Sequence, residues 1–170
     1  PTTDNYTLTL HDALPISLER LSAKGFVHYE LSNAAKPGLW SRHNLIYWNR
    51  GEYLGIGAGA HSLMGLHRFA NTTNPTEYIQ RMRAGEIPVA ETLLLSPADV
   101  LSERLFMGLR LLDGLDLALV GAETGVDVAS RFAEELGQLV HRELLIRNGS
   151  VIKLSMSGLD YANEVFRAFV

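Results

Sequence analysis

Residues 41–62, SRHNLIYWNRGEYLGIGAGAHS, hold the densest set of chemically useful side chains in the sequence. His43 offers an imidazole, which in its neutral form ligates metals. Asn44 beside it offers an amide that both donates and accepts hydrogen bonds. Tyr47 and Trp48 add two flat apolar faces with polar tips. A break at Asn49-Arg50-Gly51 separates this group from an apolar run, Tyr53 to Ala60, interrupted by Gly55, Gly57 and Gly59. Glycine weakens any strand it occupies, because it adds backbone entropy and no packing. It marks places where a ligand or another backbone comes close. The run is predicted to be a buried strand, apolar on both faces. It passes either beside an adenosine- or porphyrin-sized ligand or tight against a neighbouring strand, and the pattern weighs the two equally.

Other chemistries fit the spacing less well. GIGAGAH is not read as a dinucleotide loop, because no helix opens at its third glycine and Glu77 begins a helix of its own. His61 and His67 match no common metal-ligand spacing. Ser62 lacks the strand-turn-helix setting of a nucleophile elbow. No Ser/His/Asp set can be assembled. Glu30, at the end of a predicted strand, is read either as a group that orients a ligand hydroxyl or moves a proton, or as a rim carboxylate paired with Arg42 or Lys36.

The elements that must position these residues follow from periodicity and caps. Leu18 to Lys24 reads as the end of a helix closed by Gly25. FVHYEL alternates as a strand, closed by Ser32-Asn33, and this helix-to-strand order is half of a βα unit. In parallel α/β folds functional groups gather at the carboxyl ends of strands. Phe69 to Thr72 is a further short strand. Asn74-Pro75-Thr76-Glu77 starts a helix with Asn as N-cap and Pro at the first position. Val89 to Leu95 is extended. Ser96-Pro97 opens a helix with Leu101, Leu105, Leu109 and Leu112 on one face. Leu115 to Gly125 is expected to be a short helix, and Asp127 to cap a long one. LLIR-NG-SVIKL predicts a hairpin with a type I′ turn at Asn148-Gly149. A last helix carries Leu159, Ala162, Phe166 and Phe169. Helix, turn, helix, hairpin is the order of a winged-helix-like module.

Composition narrows the class. The 170 residues are 46% hydrophobic and 20% charged, a globular profile. A net charge of −4 attracts neither nucleic acid nor anionic membrane. The helix before the hairpin sets Arg131, His141 and Arg142 against Glu134, Glu135 and Glu143, too balanced for a DNA-recognition helix. No nucleic-acid partner is therefore expected. There is no cysteine, so the chain supplies no disulfide, thiolate zinc site or cysteine-ligated cluster. A cytoplasmic setting is expected. The opening residues, PTTDNYTLTLHDALPIS, resemble a translated sequencing adapter. Residues 1–17 are taken as non-native, a reading frame near Leu18 is expected, and His11 and Asp12 receive no weight.

GFVHYELSNAAKPG, SRHNLIYW and YLGIGAGAHS, in that order, resemble the C-terminal half of the radical S-adenosylmethionine enzymes grouped with oxygen-independent coproporphyrinogen-III oxidase. HNxxYW is similar to the heme-chaperone branch of that group. The resemblance continues through NPTEYI and SERLFMGLRLLDGLD to KLSMSGLDYANEVFRAF, covering about Leu18 to Val170. It implies an α/β fold: residues 18–95 as the last strands of a partial (β/α) barrel, and residues 96–170 as a mainly helical, winged-helix-like C-terminal domain. It implies a longer protein in which a CxxxCxxC-type motif holds a four-iron cluster (4Fe-4S) that reductively cleaves S-adenosylmethionine. In the chaperone branch heme is bound through the histidine of HNxxYW and delivered to acceptor proteins. His43 resembles that heme ligand and metal ligand, with Asn44, Tyr47 and Trp48 as motif partners. Gly57, Ala58, Gly59, Ala60 and His61 resemble the barrel strand lining the S-adenosylmethionine pocket, and Glu30, Ser32 and Asn33 the YExSN strand end beside it. Ala34 replaces a common aromatic, and Ser41 a frequent cysteine. The resemblance leaves a homodimer open for the full-length form. It implies a heme chaperone whose cluster chemistry is absent from this chain, which is not expected to be catalytic alone. Oxidative decarboxylation of coproporphyrinogen III and a stand-alone winged-helix binding module are the alternatives.

Overall fold

A computed structural model describes residues 17–170 of the chain. The expectation for residues 1–17 therefore lies, Ser17 apart, outside the described residues. A helical segment over residues 17–22 ends at Gly25, whose φ of +77° is the left-handed cap that glycine adopts freely. Strand β1 (Val27–Glu30) follows, as the alternation predicts. It then turns back on itself. Strand β2 (Asn33–Ala35) pairs with β1 antiparallel. All strand pairings among the described residues are antiparallel. Sequence order of helix and strand carries no information on pairing direction. Here the Glu30 carboxylate, by accepting from the Ser32 backbone N–H at 3.0 Å, holds the tight turn that reverses the chain.

Helix α1 (Arg42–Trp48) begins after Ser41, whose Oγ accepts from the Asn44 N–H. A three-stranded meander comes next: β3 (His61–Met64), β4 (His67–Asn71) and β5 (Val89–Leu94), in that order. Helix α2 (Pro75–Arg83) joins β4 to β5, with Asn74 Oδ1 accepting from Thr76 and Glu77 N–H as expected. Helix α3 (Pro97–Gly108) starts in a full capping box between Ser96 and Asp99. The Ser96 hydroxyl and N–H hold the Asp99 carboxyl below the usual carboxylate range.

The C-terminal third runs β6 (Leu115–Asp116), α4 (Leu117–Thr124), α5 (Val128–Arg131), α6 (Ala133–His141), β7 (Leu145–Asn148), β8 (Val151–Leu154), α7 (Met156–Asp160) and α8 (Ala162–Arg167). The main apolar core lies here. Leu101, Leu105 and Leu109 of α3 and the residue after it meet Val120, Leu136, Leu139, Ile152, Val165 and Phe169. The 4-residue spacing of the leucines is what puts them on one face. Among the described residues no helix is long and apolar enough to cross a membrane.

Five expectations need correction. Tyr53 to Ala60 is not a buried strand: Tyr53 makes a single bridge to Leu63, and the rest is irregular and partly exposed. Gly57 at φ +110° and Gly59 at +71° take the chain out of extended geometry. Leu115-Asp116 is a third strand on β8 rather than helix. The helix after Asp127 breaks at Phe132, which turns to pack edge-on against Phe169 at 5.4 Å. The last helix breaks similarly at Tyr161. Finally, the hairpin forms as predicted but one residue later in its turn. Asn148 pairs with Val151, leaving Gly149-Ser150 as the loop, and only Gly149 has positive φ. That sign pattern is type II′, not I′.

Candidate functional site

Helix α1 is held at both ends. At its start, the Tyr29 hydroxyl on β1 accepts from the Ser41 N–H at 3.1 Å, and the Tyr29 ring stacks on Trp40 at 5.1 Å. At its finish, helix α3 grips the chain through three arginines. Arg50 donates to Glu103 at 3.0 Å, and Arg68 reaches the same carboxylate at 2.8 Å. Arg104 donates to the Asn49 carbonyl at 3.3 Å while its guanidinium forks onto Glu123. Arg110, just past α3, lays its guanidinium 4.2 Å over the Trp48 ring, a geometry in which the ring face attracts the cation. Arg50 adopts φ +52°, uncommon for a residue with a side chain; its ion pair and the turn after α1 hold it there.

Between α1 and the 53–61 segment lies a cleft of about 540 Å³ lined by His43, Tyr47, Tyr53, Leu54, Gly55, Ile56, Ala60 and His61. That volume falls in the ordinary range for small-ligand sites. His43 and Tyr47 stand one turn apart on α1, so they share a face; their rings meet edge-on at 4.8 Å. Tyr47 in turn meets Tyr53 at 4.5 Å. Leu54 and Ile56 expose 67% and 85% of their surface, an apolar rim that covering by a flat ligand would remove from water. The His43 and His61 imidazoles are exposed and have no hydrogen bond among the described residues.

The 55–61 segment is held by side chains instead of a strand ladder. Ser62 Oγ accepts from the Gly55 N–H, the Tyr78 hydroxyl accepts from the Gly57 N–H, and Asn71 Nδ2 donates to the carbonyls of Gly55 and Gly57. The Gly59 N–H bonds to the Thr72 carbonyl. Gly55 answers the question left open by the glycines: a Cβ there would lie 2.2 Å from the His61 carbonyl oxygen. At this glycine the close neighbour is backbone. Gly55→Ala is expected to push residues 60–61 outward and to cost about 1–3 kcal/mol. Thermal melting reads the loss, and a stability equal to the parent would refute the close fit.

The cleft thus gathers His43, Tyr47, Gly55, Ala60 and His61 from the residues singled out in the sequence; Asn44, Trp48, Glu30, Asn33, Gly57, Ala58 and Gly59 lie outside its lining. Asn44 sits in the first turn of α1, partly buried. Trp48 faces Arg110, and its indole N–H is buried without a partner among the described residues. Gly57, Ala58 and Gly59 form the turn behind the cleft. Glu30 is fully buried, bonded to the Ser32 N–H and the Asn33 side-chain amide, while Arg110 donates to Ser32 Oγ at 3.2 Å. Among the described residues Glu30 pairs with neither Arg42 nor Lys36. Tyr53 and the arginine grip on α1 escaped sequence reasoning. Tyr53 carried a signal as an aromatic next to the glycine run; the arginines, distant in sequence, carried none.

Imidazole nitrogens and aromatic walls suit a flat iron macrocycle. They do not suit an iron–sulfur cluster, which needs thiolates that this chain lacks. Residues 95–161 match the family model described as the HemN C-terminal domain. The heme chaperone HemW of Bacillus subtilis is 32% identical over 155 residues, covering 91% of this chain and 41% of that protein. HemW of Mycobacterium tuberculosis is 41% identical over 103 residues, 61% of this chain and 26% of its own length. Among solved structures, coproporphyrinogen III oxidase (HemN) from Escherichia coli, described as a radical SAM enzyme, superposes with a TM-score of 0.73 at 17% identity. It covers 94% of this chain and 40% of its own, a likeness of fold that includes the mixed helix-and-sheet arrangement. The chain spans about two-fifths of the length of the Bacillus relative. The Bacillus match extends over 91% of this chain, and the chain belongs to the HemW/HemN family of radical S-adenosylmethionine proteins, with the family's C-terminal domain in residues 95–161.

Proposed function

We propose that the chain carries the heme-binding site of a heme chaperone, with His43 as an iron ligand. The observation that carries this reading is the uncommitted imidazole of His43 in an aromatic-walled cleft. The names of the Bacillus and Mycobacterium relatives support it. Heme is the cargo. Tyr47 and Tyr53 cover part of the macrocycle face, Leu54 and Ile56 cover its apolar edge, and Asn44 and Trp48 steady the helix that presents His43. An exposed cleft suits a cargo that must be handed to an acceptor protein, because release requires no opening of a core.

Residues 18–95 form the barrel-derived unit and residues 96–170 a winged-helix-like domain whose first helix, α3, positions α1. Gly57, Ala58, Gly59 and Ala60 form the edge that contacts S-adenosylmethionine in the whole protein, with Glu30 and Asn33 shaping the turn of the neighbouring hairpin. Cluster chemistry is assigned to no residue of this chain. The whole protein works in the cytoplasm, and its partners are heme-acceptor proteins.

Titration with ferric heme tests the reading. One equivalent is expected to bind saturably, with a shifted Soret band, and to pass to an apo heme protein on mixing. Absence of saturable binding overturns it.

A further inference from the structure

We infer that His61 is the second axial ligand of the heme iron, opposite His43; this rests on the heme reading above and deepens it. Heme iron has two axial positions, and imidazole is a natural ligand for both. The cleft is bounded by two elements, and each contributes one histidine to its lining: His43 from α1 and His61 from the first residue of β3, which also borders a groove along β4 and β5. A flat macrocycle lying between those elements turns one face to each. Both imidazoles are exposed, and neither ring nitrogen is spent on a hydrogen bond among the described residues. His28, by contrast, is engaged with the Leu31 carbonyl at 3.4 Å.

The segment that carries His61 is built to hold a position. Four side-chain-to-backbone bonds from Ser62, Tyr78 and Asn71 fix residues 55–57, and Gly55 packs directly on the His61 carbonyl. A backbone held in this way loses less freedom when a side chain it carries binds iron. Fixing one ligand on a helix and the other on a braced strand start also makes the site responsive. A displacement of either element lengthens one bond to iron, which is a route to release in a carrier. His61 is thereby assigned to the iron rather than to a nucleoside.

The test is the coordination state of the ferric heme complex of the chain, read by electronic absorption and electron paramagnetic resonance. The parent is expected to be six-coordinate and low-spin. His61→Ala is expected to become high-spin while still binding heme, with an affinity lower by roughly tenfold or more, the scale on which metal sites respond to the loss of a supporting group. Added imidazole restores the low-spin spectrum. His61→Met, which offers a thioether, is expected to stay low-spin with an altered spectrum. His67→Ala, an exposed histidine at the far end of the meander, leaves the spectrum unchanged. A high-spin parent, or a His61→Ala complex that remains low-spin, overturns the assignment while leaving heme binding intact. Failure of the parent to bind heme overturns the heme reading itself.

Discussion

The His43→Ala chain is expected to lose more than roughly 100-fold in affinity for ferric heme. Loss of a merely supporting partner costs metal sites about 10–100-fold, and His43 is proposed to touch the iron itself. The residue is exposed on α1, makes only an edge contact with Tyr47, and donates to nothing among the described residues. Its removal should therefore leave stability within about 0.5 kcal/mol of the parent. That separation gives the experiment its force. A binding loss without a folding loss is the signature of a ligand. Equal affinity in parent and variant would place the iron elsewhere, whereas an equal fall in both quantities would mark His43 as structural.

Glu103→Ala is expected to cost about 3–5 kcal/mol of folding stability, the scale for removing one partner of a buried ion pair. Glu103 is 5% exposed and serves two guanidiniums. Arg68 is the more exposed of the two and finds water when its partner goes, so most of the cost falls on Arg50, whose side chain is 11% exposed. One of its terminal nitrogens, Nη2, already lacks a partner among the described residues. Without the carboxylate, Arg50 keeps its left-handed backbone with no ion pair to compensate it. Denaturant melting reads the loss directly. Because Arg50 lies two residues past the end of α1, heme affinity should fall as well. Here both quantities move together, unlike for His43. A change under about 1 kcal/mol, the value of an exposed pair, would mean that solvent reaches the arginine.

Much of the local structure was legible because its causes are local. Asn74 before Pro75 and Ser96 before Pro97 start helices where their side chains cap the first turn. Leucines four apart make the core face of α3. The misreadings share a cause too. Tyr53 to Ala60 was apolar on both faces, the pattern of a buried strand, yet two glycines at positive φ prevent the extended form. Side chains from Ser62, Asn71 and Tyr78 then supply the hydrogen bonds that a neighbouring strand would have given. Asn148-Gly149 is a favoured turn pair, but the register that buries Ile152 and Leu154 moves the loop to Gly149-Ser150.

The sequence by itself determined the family and singled out the candidate residues for its chemistry. His43 with Asn44, Tyr47 and Trp48, followed by the glycine run, is a pattern of residue types and short spacings, and such patterns survive in one dimension. It also determined that no cluster can be held on cysteines of this chain. Only the tertiary structure decided which of those residues meet. It put His43 and His61 on one cleft, sent Trp48 to Arg110, and buried Glu30 in its own turn. It also revealed that α3, about fifty residues downstream, anchors the helix bearing His43. Ion pairs and cleft walls arise from proximity in space. That proximity is set by how the apolar faces of α3 and its neighbours must pack, which no short window of sequence contains.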